Sequence, residues 1–191
     1  MKHLFILFSL ICVIAIPLQA QQAVDPDSSH PIYTQQKGRN TLSKAQYWGI
    51  KYNGYTISEL NDLFEDEELL FDVLGQPSLM EEDSFGNISY NFNGLTATYQ
   101  KEGNPNFIYG FSTTQRSALR VTILGKTIRV GDTFEQLIQH FGEDLKILQS
   151  SSVNSTINIS FGIENIFYDG LMIHVNPQTL QIIEIAYYVN T

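Results

Sequence analysis

Residues 126–142 read KTIRVGDTFEQLIQHFG, from Lys126 to Gly142. Thr127, Ile128, Arg129 and Val130 make a short extended run that Gly131 ends. Asp132 is then placed to accept from the free N–H groups of a new helix while Glu135 reaches back, a capping box. Phe134, Leu137, Ile138 and Phe141 follow at the spacing of one helical stripe, and Gly142 supplies the left-handed residue that closes the helix. Burial stabilises each such side chain by about 1.5–3 kcal/mol, which a short helix cannot realise alone in water. The stripe predicts a helix lying on a sheet.

Working outward, the residues after Gly142 alternate in the manner of strands. Ile157, Ile159 and Phe161 precede Ile166 and Tyr168, Asp169-Gly170 turns the chain, and Leu171, Ile173 and Val175 return from it. Asn176-Pro177 turns it again before Ile183, Ile185, Tyr187 and Val189. The first half has the same order in a weaker form. Tyr47, Trp48, Ile50 and Tyr52 read as a strand and Asn53-Gly54 as a turn. Ser58 caps a helical region carrying Leu60, Leu63 and Phe64. Asp66 reads as a fresh N-terminus, and Gly75 and Pro77 end the pattern, so the region is expected as two short helices joined by a bend or as one kinked helix. Ile88, Tyr90 and Phe92, then Asn93-Gly94, then Leu95, Ala97 and Tyr99 form a hairpin. Phe107, Tyr109 and Phe111 give a third strand, and Leu119, Val121 and Ile123 a fourth. Asn53-Gly54-Tyr55-Thr56-Ile57 matches Leu124-Gly125-Lys126-Thr127-Ile128, and Asn93-Gly94-Leu95 matches Asp169-Gly170-Leu171, which predicts an internal repeat.

The order VGDTFEQLIQHFG, then Ile166 to Val175, then Ile182 to Tyr188 resembles the unit of the β-lactamase inhibitor protein and of the outer-membrane assembly lipoprotein group SmpA/OmlA. That resemblance covers about Ala45 to Thr191. It implies an α+β fold of two tandem copies, each a helix or helix pair packed on one face of a small antiparallel sheet, with protein partners. The chain lacks the inhibitor's disulfides and the lipoprotein's acylated cysteine, and no functional residue is carried over. The expected division is 1–20 signal peptide, 21–44 flexible leader, 45–115 first repeat and 116–191 second repeat.

Lys2 and His3 precede an apolar run from Leu4 to Ile16 that Pro17 breaks, and Leu18-Gln19-Ala20 ends in a small residue. This pattern predicts cleavage after Ala20 and a periplasmic or secreted protein, because the run is too short to span a membrane. The single cysteine, Cys12, lies inside that run, so the exported chain would carry no disulfide, cysteine nucleophile or thiolate metal site. The formal net charge is −9. Nucleic-acid binding is disfavoured, since phosphate affinity needs surplus Lys and Arg. Between Lys51 and Lys101 the sequence has no basic residue but carries Glu59, Asp62, Glu65–Glu68, Asp72 and Glu81–Asp83. A negative face and a basic protein partner are expected.

No G-x-S-x-G, Walker, H-E-x-x-H or G-x-G-x-x-G pattern occurs, so no catalytic residue, metal ligand or cofactor is assigned. The acidic run lacks the order of a Ca²⁺ loop and reads as a solvated helix start. His140 reads as a surface residue near a helix C-terminus, and His174 as a residue on the face of its strand shared with Met172. Sheet alternation places a second set of aromatics on the face away from the helices. Phe167, Met172, His174 and Tyr188 alternate with core candidates in the second half, and Tyr47, Trp48 and Tyr55 lie near the start of the first. These seven are the expected partner-binding residues, the alternative being that loops or the other copy cover that face. The function read from the sequence is an exported, non-catalytic protein-binding module of the bacterial envelope. The competing reading is a small secreted hydrolase whose carboxylates have no recognisable spacing.

Overall fold

In a computed structural model that describes residues 31–101, 106–148, 156–164 and 170–189, the chain starts with helix α1 (Pro31–Thr34), strand β1 (Asn40–Leu42), helix α2 (Lys44–Trp48) and strand β2 (Lys51–Tyr52). Helices α3 (Ile57–Glu65) and α4 (Glu67–Leu74) lead to β3 (Leu79–Glu82), β4 (Asn87–Phe92), β5 (Leu95–Gln100) and β6 (Phe107–Thr113). Then come β7 (Val121–Ile123), β8 (Lys126–Ile128), α5 (Phe134–Phe141), β9 (Ile157–Ile163), β10 (Gly170–Val175) and β11 (Ile182–Tyr188). The Ala20 cleavage site, Phe167 and the Asp169 half of its turn lie outside the described residues.

The expected fold, two tandem α+β copies each with its own small antiparallel sheet, is corrected. The described residues are mostly β, and eight strands make one mixed sheet in the order β1-β9-β10-β11-β6-β5-β4-β3. Strands β2, β7 and β8 make a second sheet of three. The halves merge because β6 and β11 pair antiparallel, from Ile185 opposite Thr113 to Tyr188 opposite Gly110. Left apart, each half would present a row of unpaired backbone groups at that edge, and pairing satisfies both rows. The partners lie far apart in sequence, where hydrophobic periodicity carries no signal.

The stretch expected as a flexible leader also contributes structure. Strand β1 pairs in parallel with β9, Asn40 opposite Phe161 to Leu42 opposite Ile163, and makes the sheet mixed. Asn40 anchors it with side-chain groups: Nδ2 donates to the Lys146 carbonyl at 2.8 Å and the Ser160 carbonyl at 3.1 Å, and Oδ1 accepts from the Lys146 N–H at 2.8 Å. The amide mimics a peptide unit, so an amide-rich segment of low hydrophobicity is ordered by hydrogen bonds where the sequence offers no apolar pattern. Ser43 and Gln46 form a capping box on α2, which turns Tyr47 and Trp48 into helix rather than strand.

Helix α3 starts at Thr56 with Glu59 as its box partner, not at Ser58. Asp66 caps α4, accepting from the N–H groups of Glu68 and Leu69. Asn93 and Gly94 turn β4 into β5 with φ of 43° and 93°, both in the left-handed region that a type I′ turn requires.

One face of the large sheet holds the core. Phe64 of α3 meets Tyr90 and Tyr99 with ring centroids 5.6 Å apart in each case. Tyr52 of the small sheet sits edge-on to Phe111 at 4.7 Å. Phe141 of α5 reaches Phe161 at 5.1 Å. Helices and small sheet therefore cover the same side, from β4 across to β9. Phe134 and Leu137 are buried there, and Ile138 and Phe141 pack partly buried against the same core.

Candidate functional site

The register places a second set of side chains on the opposite face. One row runs Ser160, Met172, Ala186, Ser112, Thr96, Asn91 and Leu79, and the next runs Gly170, Tyr188, Gly110, Thr98, Ser89 and Glu81. Small hydroxyl and amide residues dominate the middle of the face, where Ser89 and Thr98 share a hydrogen bond of 3.3 Å. Short side chains leave this region low. Larger groups stand beside it: Tyr188, 45% exposed, and Tyr109, 39% exposed. Glu81 of β3 ends the second row at the acidic edge.

The expected partner-binding residues are only partly brought together. Met172, His174 and Tyr188 do share this face. Tyr47 does not belong to a surface, being buried at 4% exposure under Trp48, whose ring it meets edge-on at 5.2 Å. Its burial follows from the helix that replaced the expected strand. Trp48 is 49% exposed on α2, which packs beside β1 and β9. Tyr55 bridges to Tyr52 on the small sheet and is half-buried. Phe167 lies outside the described residues.

Tyr109 and Phe107 were missed. Strict alternation puts Phe107, Tyr109 and Phe111 on one face, but a bulge between Thr98 and Tyr99 breaks the register. Phe111 then enters the core, while Phe107 lies opposite Gln100 beside Tyr109, with ring centroids 6.3 Å apart. An extra residue in one strand leaves no sign in a single sequence beyond the glycine at position 110, whose added Cβ would lie 2.9 Å from the Tyr187 carbonyl oxygen.

His174 is held by a small polar group. Its Nδ1 lies 2.8 Å from Asn158 Oδ1, which also accepts from the Thr156 hydroxyl at 2.8 Å. Accepting there means that Nδ1 carries the proton, leaving Nε2 facing Glu184 Oε2 at 4.0 Å. Burial pushes the His174 pKa down, and the Glu184 carboxylate pulls it partly back. No group of three or more His, Cys, Asp or Glu among the described residues is arranged to hold a metal ion.

A cavity of about 840 Å³ lies between α1 and the start of α5, with Glu135 and Glu143 among its lining. Both carboxylates are exposed. Acid catalysis by paired carboxylates calls for one of them in water-poor surroundings, and neither has them.

Among the described residues no helix is long and apolar enough to cross a membrane. No family model matches the chain, and no curated protein matches it. Among solved structures it is similar, at a TM-score of 0.42 and 12% identity, to an extracellular protein containing a SCP domain from Bacillus anthracis str. Ames; the match covers 65% of this chain and 43% of that one.

Proposed function

We propose that this protein is an exported, non-catalytic binding module of the bacterial envelope, inhibitor-like or assembly-factor-like, and that it engages a basic protein through the outer face of its large sheet. The observation that supports this most is the pairing of exposed Tyr109 and Tyr188 with a low Ser/Thr/Asn plain on a multi-stranded sheet. Rigid aromatic groups lose little conformational entropy on contact and act as anchors, while short hydroxyl side chains let a partner approach closely. The acidic edge at Glu81 and Glu82 and the overall net charge of −9 favour a positively charged partner and faster encounter at low salt. The resemblance of Val130–Gly142 to units of the β-lactamase inhibitor and SmpA/OmlA groups also points to a protein partner. The exposure of Glu135 and Glu143 weighs against the hydrolase reading.

Affinity capture from envelope extract tests the proposal, with Tyr188→Ala and Tyr109→Ala beside the unaltered protein and Trp48→Ala as a control away from the rows. The expected result is a basic protein retained by the unaltered chain and by Trp48→Ala, lost with either tyrosine variant and weakened by salt. Equal retention by all four would remove the sheet face from consideration.

A further inference from the structure

Arg116, Arg120 and Arg129, three of the four arginines in the sequence, line one cleft of about 470 Å³, with Tyr55, Val73 and Leu74 forming its apolar wall. Among the described residues no acidic side chain lines it. Gathering like charges is unfavourable unless each finds a counter-charge, and in an acidic chain the local surplus stands out. Arg116 has its counter-charge: its Nη1 meets Asp132 Oδ1 at 2.9 Å and donates to the Val130 carbonyl at 3.0 Å. Gly131, with φ of 86°, makes room for it, since a Cβ there would lie 3.1 Å from Arg116 Nη1. Among the described residues neither Arg120 nor Arg129 has a carboxylate within 4.0 Å.

The backbones that carry those two guanidinium groups are nonetheless fixed. Asn53, in the left-handed region at φ 53°, accepts from the Arg120 N–H at 2.8 Å through Oδ1, donates its own N–H to the Arg120 carbonyl at 2.8 Å, and donates Nδ2 to the Ala118 carbonyl at 2.9 Å. Asp132 Oδ2 accepts from the Arg129 N–H at 2.9 Å. Two side chains with planar, multiply donating heads therefore rise from anchored positions around one cleft, an arrangement suited to bidentate contact with an oxyanion.

We infer that this cleft binds a phosphate monoester, with Arg120 and Arg129 holding the phosphate oxygens and Arg116 adding a third positive charge. Three guanidinium groups against one carboxylate, Asp132, leave a surplus that a single carboxylate ligand would only half neutralise. A phosphate monoester carries about −1.5 to −2 at pH 7 and matches it. Tyr55, Val73 and Leu74 give an organic substituent an apolar surface.

Titration of the exported chain with phenyl phosphate, inorganic phosphate and benzoate at constant ionic strength tests this, read by amide chemical shifts and by ligand-dependent Tm. Phenyl phosphate should bind tightest, inorganic phosphate more weakly and benzoate weakest, with saturable shifts at Arg120 and Arg129. Arg120→Gln and Arg129→Gln should each weaken phenyl phosphate about tenfold or more, and Arg120→Lys, which keeps the charge but loses the fork, by less. Chloride producing the same shifts, benzoate binding as well as phenyl phosphate, or folded Gln variants binding as the unaltered protein does would each overturn the inference. So would a lower ligand-free Tm in the Gln variants with affinity unchanged, which assigns the arginines a structural role instead.

Discussion

Tyr187 stacks on Phe111 across the seam between β11 and β6, with ring centroids 5.3 Å apart and planes inclined by 21°. The same pair receives Tyr52 from the small sheet, edge-on to Phe111 at 4.7 Å and tilted against Tyr187 at 5.9 Å. Three aromatic rings from three distant parts of the chain thus close the place where the two halves become one sheet. Phe111→Ala should cost about 3–5 kcal/mol in urea unfolding, and Tyr187→Ala a similar amount. The double variant should cost less than the sum, because the rings share one another as partners. Additive losses, or losses under about 1 kcal/mol, would show that the seam contributes little.

The opening of α5 separates two adjacent residues by role. Thr133 is the N-cap, its hydroxyl accepting from the Gln136 N–H at 3.2 Å while the Gln136 side chain accepts from the Thr133 N–H at 2.8 Å. Thr133→Ala should therefore destabilise by about 0.5–2 kcal/mol, as loss of a cap does. Asp132 is buried and ties Arg116 to the Arg129 backbone. Asp132→Asn should lower stability without fraying α5, so hydrogen exchange at the amides of Glu135 and Gln136 separates the two. Faster exchange there in the Asp132 variant than in the Thr133 variant contradicts this division.

That one-residue displacement shows what the sequence could carry. The stripe Phe134, Leu137, Ile138 and Phe141, the Asp66 start of α4 and the Asn93-Gly94 hairpin depend on neighbours a few residues apart, and local spacing reads them. Choosing between Asp132 and Thr133 as cap depends on Arg116, sixteen positions earlier, which draws the carboxylate away. The β6–β11 pairing, the parallel docking of β1 and the bulge that sends Phe107 and Tyr109 outward each depend on a distant strand. For the same reason the sequence placed Met172, His174 and Tyr188 on one face but misassigned Tyr47 and missed the arginine cleft, which joins residues from 53 to 129.

Asn40 carries a prediction about the edge. Replacing it with Ala leaves the Lys146 N–H and two carbonyls without their partner, a cost of about 1–3 kcal/mol where those groups stay away from water. The loss should be local, with faster hydrogen exchange in β1 and β9 and earlier proteolysis between Lys37 and Lys44, while β4 and β5 keep their protection. Uniform loss of protection across the sheet would mean that β1 docks only as part of global folding.

His174 should make stability depend on pH in a direction fixed by its surroundings. Burial is the larger influence and lowers its pKa in the folded protein; Glu184 opposes it. The unfolded chain then binds a proton at a higher pH than the folded one. The stability that the neutral ring contributes is complete above the unfolded value near 6.5 and is lost as pH falls from there toward the folded pKa. The slope cannot exceed about 1.4 kcal/mol per pH unit for one proton, and the water that still reaches the ring keeps it below that limit. Urea unfolding between pH 7.5 and 5 should show this loss in the unaltered protein and a shallower dependence in His174→Gln. Glu184→Gln, by removing the charge that favours the imidazolium, should lower the folded pKa further and extend the loss to lower pH. A titration of the His174 ring by NMR with its midpoint at the free-histidine value would abolish the predicted dependence, and a midpoint above it would reverse the sign and mean that Glu184 outweighs burial on this face of the sheet.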